Sequence, residues 1–169
     1  MRVIGIDPGS RICGWGVVEE QTAPQKLVHV DCGGIITQTR RDLPERLKQI
    51  YDELSNIIAR HQPQEAAVES LFFHKNAKSA LVLGHARGVA LLACVNAGLP
   101  IFEYAPAQTK QALVGHGRAE KRQVAIMVKN LLGLPEVAME DASDALAAAI
   151  CHLNSRRMKI AMQSLGAQR

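Results

Sequence analysis

The chain has 169 residues, 47% of them hydrophobic, and a formal net charge of +4, which is enough for one substantial core but not comfortably for two. Its four cysteines, Cys13, Cys32, Cys94 and Cys151, form no Cys-x-x-Cys pair, which argues against a disulfide framework or structural zinc and leaves them as small buried apolar residues. No stretch of eighteen residues lacks charge or strong polarity, so a membrane-spanning helix is not expected and a soluble, cytoplasmic protein is.

The opening residues run straight into a strand pattern and do not resemble a leader. Segments 2–7, 14–19 and 26–36 are rich in Val and Ile and bounded by turn residues, which predicts an antiparallel meander. Over 42–61 the apolar residues Leu43, Leu47, Ile50, Tyr51, Leu54, Ile57 and Ile58 recur at three- and four-residue steps, which predicts an amphipathic helix ended by Pro63. Ala66, Ala67 and Val68 followed by Glu69 read as a buried strand, and the strand-helix-strand order pairs it parallel to the first. A long helix follows over 76–97, with Gly84, Ala86, Gly88 and Ala90 making a small-residue face suited to a packing partner. A strand at 101–104, helices at 108–114 and 118–132, and a last helix at 141–154 with core stripe Leu146, Ala149, Ile150 and Leu153 complete the chain. The expectation is one α/β domain over 1–156, with 157–169 as a basic, flexible tail.

Charge is unevenly spread. Residues 106–130 sum to +4 through Lys110, Arg118, Lys121, Arg122 and Lys129 against Glu120, residues 155–169 add another +4, and the remainder sums to −4. Such a division suits a protein that grips a phosphate backbone and keeps carboxylates for another task, although basic surface segments are common in any class.

The carboxylates carry the chemistry. Asp7 closes the apolar run Val3–Ile6 and precedes Pro8 and Gly9, at the C-terminal mouth of a buried strand; a plain turn aspartate is the competing assignment. Glu69 repeats the arrangement on the neighbouring parallel strand, and ligands gather beyond the carboxyl ends of strands in open α/β sheets. Asp141 and Asp144, three residues apart, share one face of a helix's first turn, where N-capping is the alternative role for either alone. Four acids with no His or Cys companion describe a site for a hard cation such as Mg²⁺. Without metal such acids repel and some keep their protons. Two divalent ions roughly 3.5–4 Å apart relieve that conflict and promote phosphodiester hydrolysis.

The segments GIDPGSRICGWGVV, AAVESLFFHKNAKSALVLGHARGVAL, EYAPAQTKQALVGHGRAEKRQV and MEDASDALAAAICH resemble, in order and spacing, the motifs of RuvC-type Holliday-junction resolvases over about residues 1–156. The resemblance implies an RNase H-like fold with a mixed five-stranded sheet flanked by helices. It implies Asp7, Glu69, Asp141 and Asp144 as metal-binding acids for Mg²⁺, two per site with Mn²⁺ as substitute, and Lys110 and Lys121 as catalytic lysines beside the scissile phosphate. Phe72 matches an aromatic that meets bases at the junction centre, Arg118 and Arg122 join the two lysines as DNA contacts, and the 76–97 helix becomes the candidate homodimer interface. Four-way junction DNA and the RuvA and RuvB branch-migration proteins are the implied partners, and paired nicks leaving 5′-phosphate and 3′-hydroxyl ends the implied reaction.

Glu65 and Glu140 are additional acids expected near the site but off the motif positions. Two other classes stay open. One is a catalytically silent junction-binding module, and the other an actin-like or sugar-kinase-type fragment, since G-I-D-P-G-S with Gly14 and Gly16 also resembles a phosphate loop. The second lacks a later D-x-G-G-G segment.

Overall fold

A computed structural model describes residues 1–23, 25–70 and 76–166. Three antiparallel strands open the chain: β1 (Arg2–Asp7), β2 (Ile12–Thr22) and β3 (Gln25–Ile36). Helix α1 (Leu43–His61) starts where the Asp42 side chain accepts a hydrogen bond from the Glu45 amide, and it crosses over to β4 (Glu65–Glu69), which pairs parallel to β1. Then come α2 (Ala77–Asn96) and β5 (Ile101–Tyr104), parallel to β4, followed by α3 (Pro106–Val114), α4 (Lys121–Leu132) and α5 (Glu140–Gly166). The sheet order is β3-β2-β1-β4-β5, the meander and parallel pair the sequence predicts.

Period-two alternation splits the strand residues between two cores. Val3, Val18 and Ala67 face α3, α4 and α5, whereas Ile4, Ile6, Cys13, Val17, Ala66 and Val68 face α1 and α2. Gly5, Gly14 and Gly16 lie on the α5 face. A side chain on Gly5 would occupy the space of the Ala145 carbonyl oxygen, and one on Gly14 that of the Asp141 backbone, so α5 rests directly on the main chain of β1 and β2. The cysteines are free, with Cys13, Cys94 and Cys151 buried.

Several boundaries differ from expectation: β2 runs over Ile12–Thr22 where 14–19 is expected, extended by its antiparallel pairing with β3 over the whole length, and three helix ends move. Helix α3 begins two residues early because Pro106 suits the first helical position and the Gln108 side chain accepts from the Ala105 amide. Helix α4 begins at Lys121 and not at 118, since the Gln123 side chain accepts from the Glu120 amide and makes Glu120 the cap. Helix α5 runs twelve residues past 154 and through the expected domain edge at 156. No Gly or Pro interrupts it before Gly166, and Arg156 and Arg157 reach Glu65 and Glu20. Helix α2 is long and apolar enough to cross a membrane by length and composition alone, with a mean hydropathy of 1.4, although Lys78, His85 and Arg87 interrupt it as the composition leads one to expect. Here Ala86, Ala90, Ala93 and Cys94 of α2 are buried in the core it shares with α1 and the sheet, and mid-helix Arg87 pairs with Glu103 of β5 at 2.5 Å.

Candidate active site

Asp7 and Glu69 end adjacent parallel strands, and both side chains fall on the α5 face because Val3, Gly5 and Asp7 share one parity and Glu65, Ala67 and Glu69 another. The first turns of α5 come down on the same strand ends. One carboxylate oxygen each from Asp7, Glu69 and Asp144 lie within 4.8 Å of one another. All three side chains are half-buried at the floor of an open cleft of about 250 Å³, with Pro8, Thr109, Lys110 and Lys121 along its walls.

The electrostatics follow from crowding like charges. Burial, then the charges of Asp144 and Asp141, pushes the Asp7 carboxyl up to about 6. Burial, then Asp7 and Asp144, pushes Glu69 up to about 8. Asp144 is raised too, chiefly by burial, with Lys121 opposing the rise. Lys121 donates to Glu140 at 2.6 Å and Asp144 at 3.1 Å, and the Glu140 bond above all holds its ammonium well above the ordinary lysine range. Such a site is short of positive charge. Its donors are all carboxylate oxygens, the set that a hard divalent cation prefers, so the residues present fit such an ion.

The structure gathers Asp7, Glu69, Asp144, Lys110 and Lys121 in one cleft. Asp141 stands at its edge, close enough to raise Asp7 and Asp144 but outside the tight trio, with its backbone against Gly14. Arg118 in the turn before α4 and Arg122 in its first turn are exposed, and neither pairs with a carboxylate among the described residues. Phe72 lies outside the described residues. Glu65 is not near the site: it begins β4 at the opposite end of the sheet and is held there by His152. Glu140 is near, as the tether of Lys121, a role that its spacing from Lys121 in the chain gives no hint of.

A sheet of this order with strand-end carboxylates converging under an N-terminal helix turn defines an RNase H-like enzyme. The sequence profile of the family described as crossover junction endodeoxyribonuclease RuvC matches residues 3–152, and the chain belongs to that family. It is therefore a nuclease, a hydrolase. The enzyme of that name from Syntrophotalea carbinolica is 59% identical over 90% of this chain and 93% of its own. Thermus thermophilus RuvC superposes with a TM-score of 0.85 at 38% identity, covering 94% of this chain and 97% of that one. A second structure of that protein, in complex with a Holliday junction substrate, superposes equally well, at 35% identity over 94% of this chain and 96% of its own.

Proposed function

We propose that this chain resolves four-way DNA junctions in recombination and repair by hydrolysing one phosphodiester bond in each of two symmetry-related strands. The observation that carries it is the trio of Asp7, Glu69 and Asp144 within 4.8 Å under two lysines, in a chain that covers 94% of its length against a relative solved with a Holliday junction.

Asp7, Glu69 and Asp144, with Asp141 at the rim, hold the metal, a pair of Mg²⁺ ions replaceable by Mn²⁺. Bound there, divalent ions supply neutralising charge at the phosphate and lower the pKa of an attacking water. The carboxylates would orient that centre, and on binding it they would release their protons to solvent. Lys121, braced by Glu140, and Lys110 on the cleft wall present fixed ammonium groups to the phosphoryl oxygens, where charge develops as the bond breaks. Arg118 and Arg122 grip backbone phosphates outside the cleft. Phe72 stacks on exposed bases at the junction centre. The products are a 5′-phosphate and a 3′-hydroxyl.

Two symmetric nicks need two sites on one two-fold axis, which a homodimer supplies. The α2 face bearing Leu81 and Leu92 is the interface: Leu81 is 67% exposed, and beyond the helix's own neighbouring backbone nothing lies within 4 Å of where Gly84 or Gly88 would carry a side chain, leaving room for a second copy's helix. RuvA and RuvB act with the enzyme in the cytoplasm.

The deciding experiment incubates the protein with a synthetic four-way junction and a linear duplex, with and without Mg²⁺. Paired symmetric nicks on the junction alone, dependent on metal, are the expected result. Junction binding without any cleavage would return the chain to the silent-module class, and ATP hydrolysis to the kinase-like one.

A further inference from the structure

The basic residues of α3 and α4 cover only one flank of the carboxylate trio. The other flank is built from two loops at the same end of the sheet as Asp7: residues 8–11 between β1 and β2, and residues 37–42 between β3 and α1. These loops are locked to each other. Thr37, 4% exposed, donates its amide to the Arg11 carbonyl at 2.9 Å and its hydroxyl to the Ser10 carbonyl at 2.8 Å. The Arg46 guanidinium closes the join by donating to the same Ser10 carbonyl and, at 3.2 Å, to the Thr37 hydroxyl. Arg41 is steadied by Gln38 through its amide at 3.0 Å and its guanidinium at 3.1 Å.

This platform carries Arg11, Arg40 and Arg41, all exposed, and none pairs with a carboxylate among the described residues. Asp42, the adjoining acid, is committed to capping α1, and Glu45 lies one turn into that helix. Three guanidinium groups of one sign on this base, bound to no carboxylate and with only Arg41 held by the neutral Gln38 side chain, leave their charge unneutralised among the described residues. They match a polyanion with regularly spaced charges.

The sheet order sets the geometry. β3 and β1 are separated by β2, about 10 Å at ~4.8 Å per strand, and α3 follows from β5 on the far side. At ~3.4 Å per nucleotide that distance is roughly three nucleotides from the scissile position. We propose that Arg11, Arg40 and Arg41 form a second phosphate track, gripping the DNA backbone on the side of the cut opposite Lys110, Arg118 and Arg122. The inference rests on the junction-resolving function proposed above and names a binding surface for it.

The test measures affinity for a labelled four-way junction over a salt series without divalent metal, for the wild type, the triple variant Arg11→Ala/Arg40→Ala/Arg41→Ala, and the charge-keeping triple variant Arg11→Lys/Arg40→Lys/Arg41→Lys. The alanine variant should bind at least about tenfold more weakly at moderate salt, and its log K against log salt slope should shrink by about 0.9 for each phosphate that is no longer neutralised. The lysine variant should keep most of the slope, because counterion release counts charges. The pair Arg40→Ala/Arg41→Ala, whose only described side-chain partner is Gln38, guards against misfolding and should show about two-thirds of the same slope change. Wild-type slope and affinity in the folded alanine variants would overturn the proposal alone. A wild-type protein that neither binds nor cuts the junction would overturn the underlying function and this track with it.

Discussion

The two ends of the β4–α5 contact use the same residue type to opposite effect. Glu65 and Glu69 are four residues apart on one face of β4, about 13 Å, and His152 and Asp144 are eight apart on α5, about 12 Å, so helix and strand stay in step along the whole contact. At the far end the Glu65 carboxylate meets His152 Nε2 at 2.5 Å and Arg156 at 3.7 Å, His152 Nδ1 bonds the Tyr104 hydroxyl at 2.7 Å, and the Phe102 ring packs at 4.4 Å between centroids. At the near end Glu69 faces Asp7 and Asp144, with Lys121 bonding Asp144 alone of the three. A carboxylate with complete partners becomes a strut, and one left among its own kind stays open to a cation.

The sharpest way to break the comparison is to remove charge at the near end. Asp7→Asn should cut the single-turnover cleavage rate by roughly a thousandfold, about 4 kcal/mol in barrier, yet raise the thermal midpoint of the metal-free protein because one repelling carboxylate is gone. A lower midpoint would mean that Asp7 is a strut after all. Next in size, Lys121→Ala should slow single-turnover cleavage about a hundredfold, with a much smaller change in junction affinity. An unchanged rate at saturating enzyme would remove Lys121 from the chemistry. At the far end the order of effects reverses: His152→Ala leaves the Glu65 carboxylate and Tyr104 hydroxyl without their partner and should cost about 2 kcal/mol in denaturant unfolding, with cleavage below the melting range nearly retained.

Acidity gives the smallest and most diagnostic contrast. Asp7 and Glu69 have folded pKa values above their ordinary ones, so between the usual carboxylate range and about pH 8 the unfolded chain binds fewer protons than the folded one. The stability of the metal-free protein should therefore fall as pH rises through that window. Adding Mg²⁺ should flatten the slope, because the ion favours the ionised carboxylates that the apo site resists. Thermal unfolding at a series of pH values, with chelator and with Mg²⁺, reads both effects, and a metal-free midpoint that rises from pH 5 to pH 8 would contradict the shared-proton picture.

Asp7 and Glu69 are legible in the sequence because each ends an apolar run, and a strand's end is a place in space as well as in the chain. Asp144 is legible through its helical spacing from Asp141, but which of the two enters the tight trio is decided by how α5 seats, which depends on Gly5, Gly14 and Gly16 several strands away. Glu65 reads as a neighbour of Glu69 because sequence distance is short, while an extended strand carries it to the opposite end of the sheet. His152 and Tyr104 look like ordinary core residues, and only the seating of α5 across β4 and β5 sets His152 between the Glu65 carboxylate and the Tyr104 hydroxyl. The platform of Arg11, Arg40 and Arg41 is likewise invisible along the chain, since β2 and β3 must pair before the loops that carry them are joined at Arg11 and Thr37.

The bare backbone beneath α5 has a consequence for how this enzyme can vary. Since the Ala145 carbonyl sits where a Gly5 side chain would be, the height of the helix above the sheet is set by atoms every amino acid shares. Leucines and valines elsewhere in the interior can be exchanged for others of similar bulk without lifting Asp144 off its neighbours, whereas a single methyl at Gly5 would jack the helix upward and pull the carboxylate cleft open.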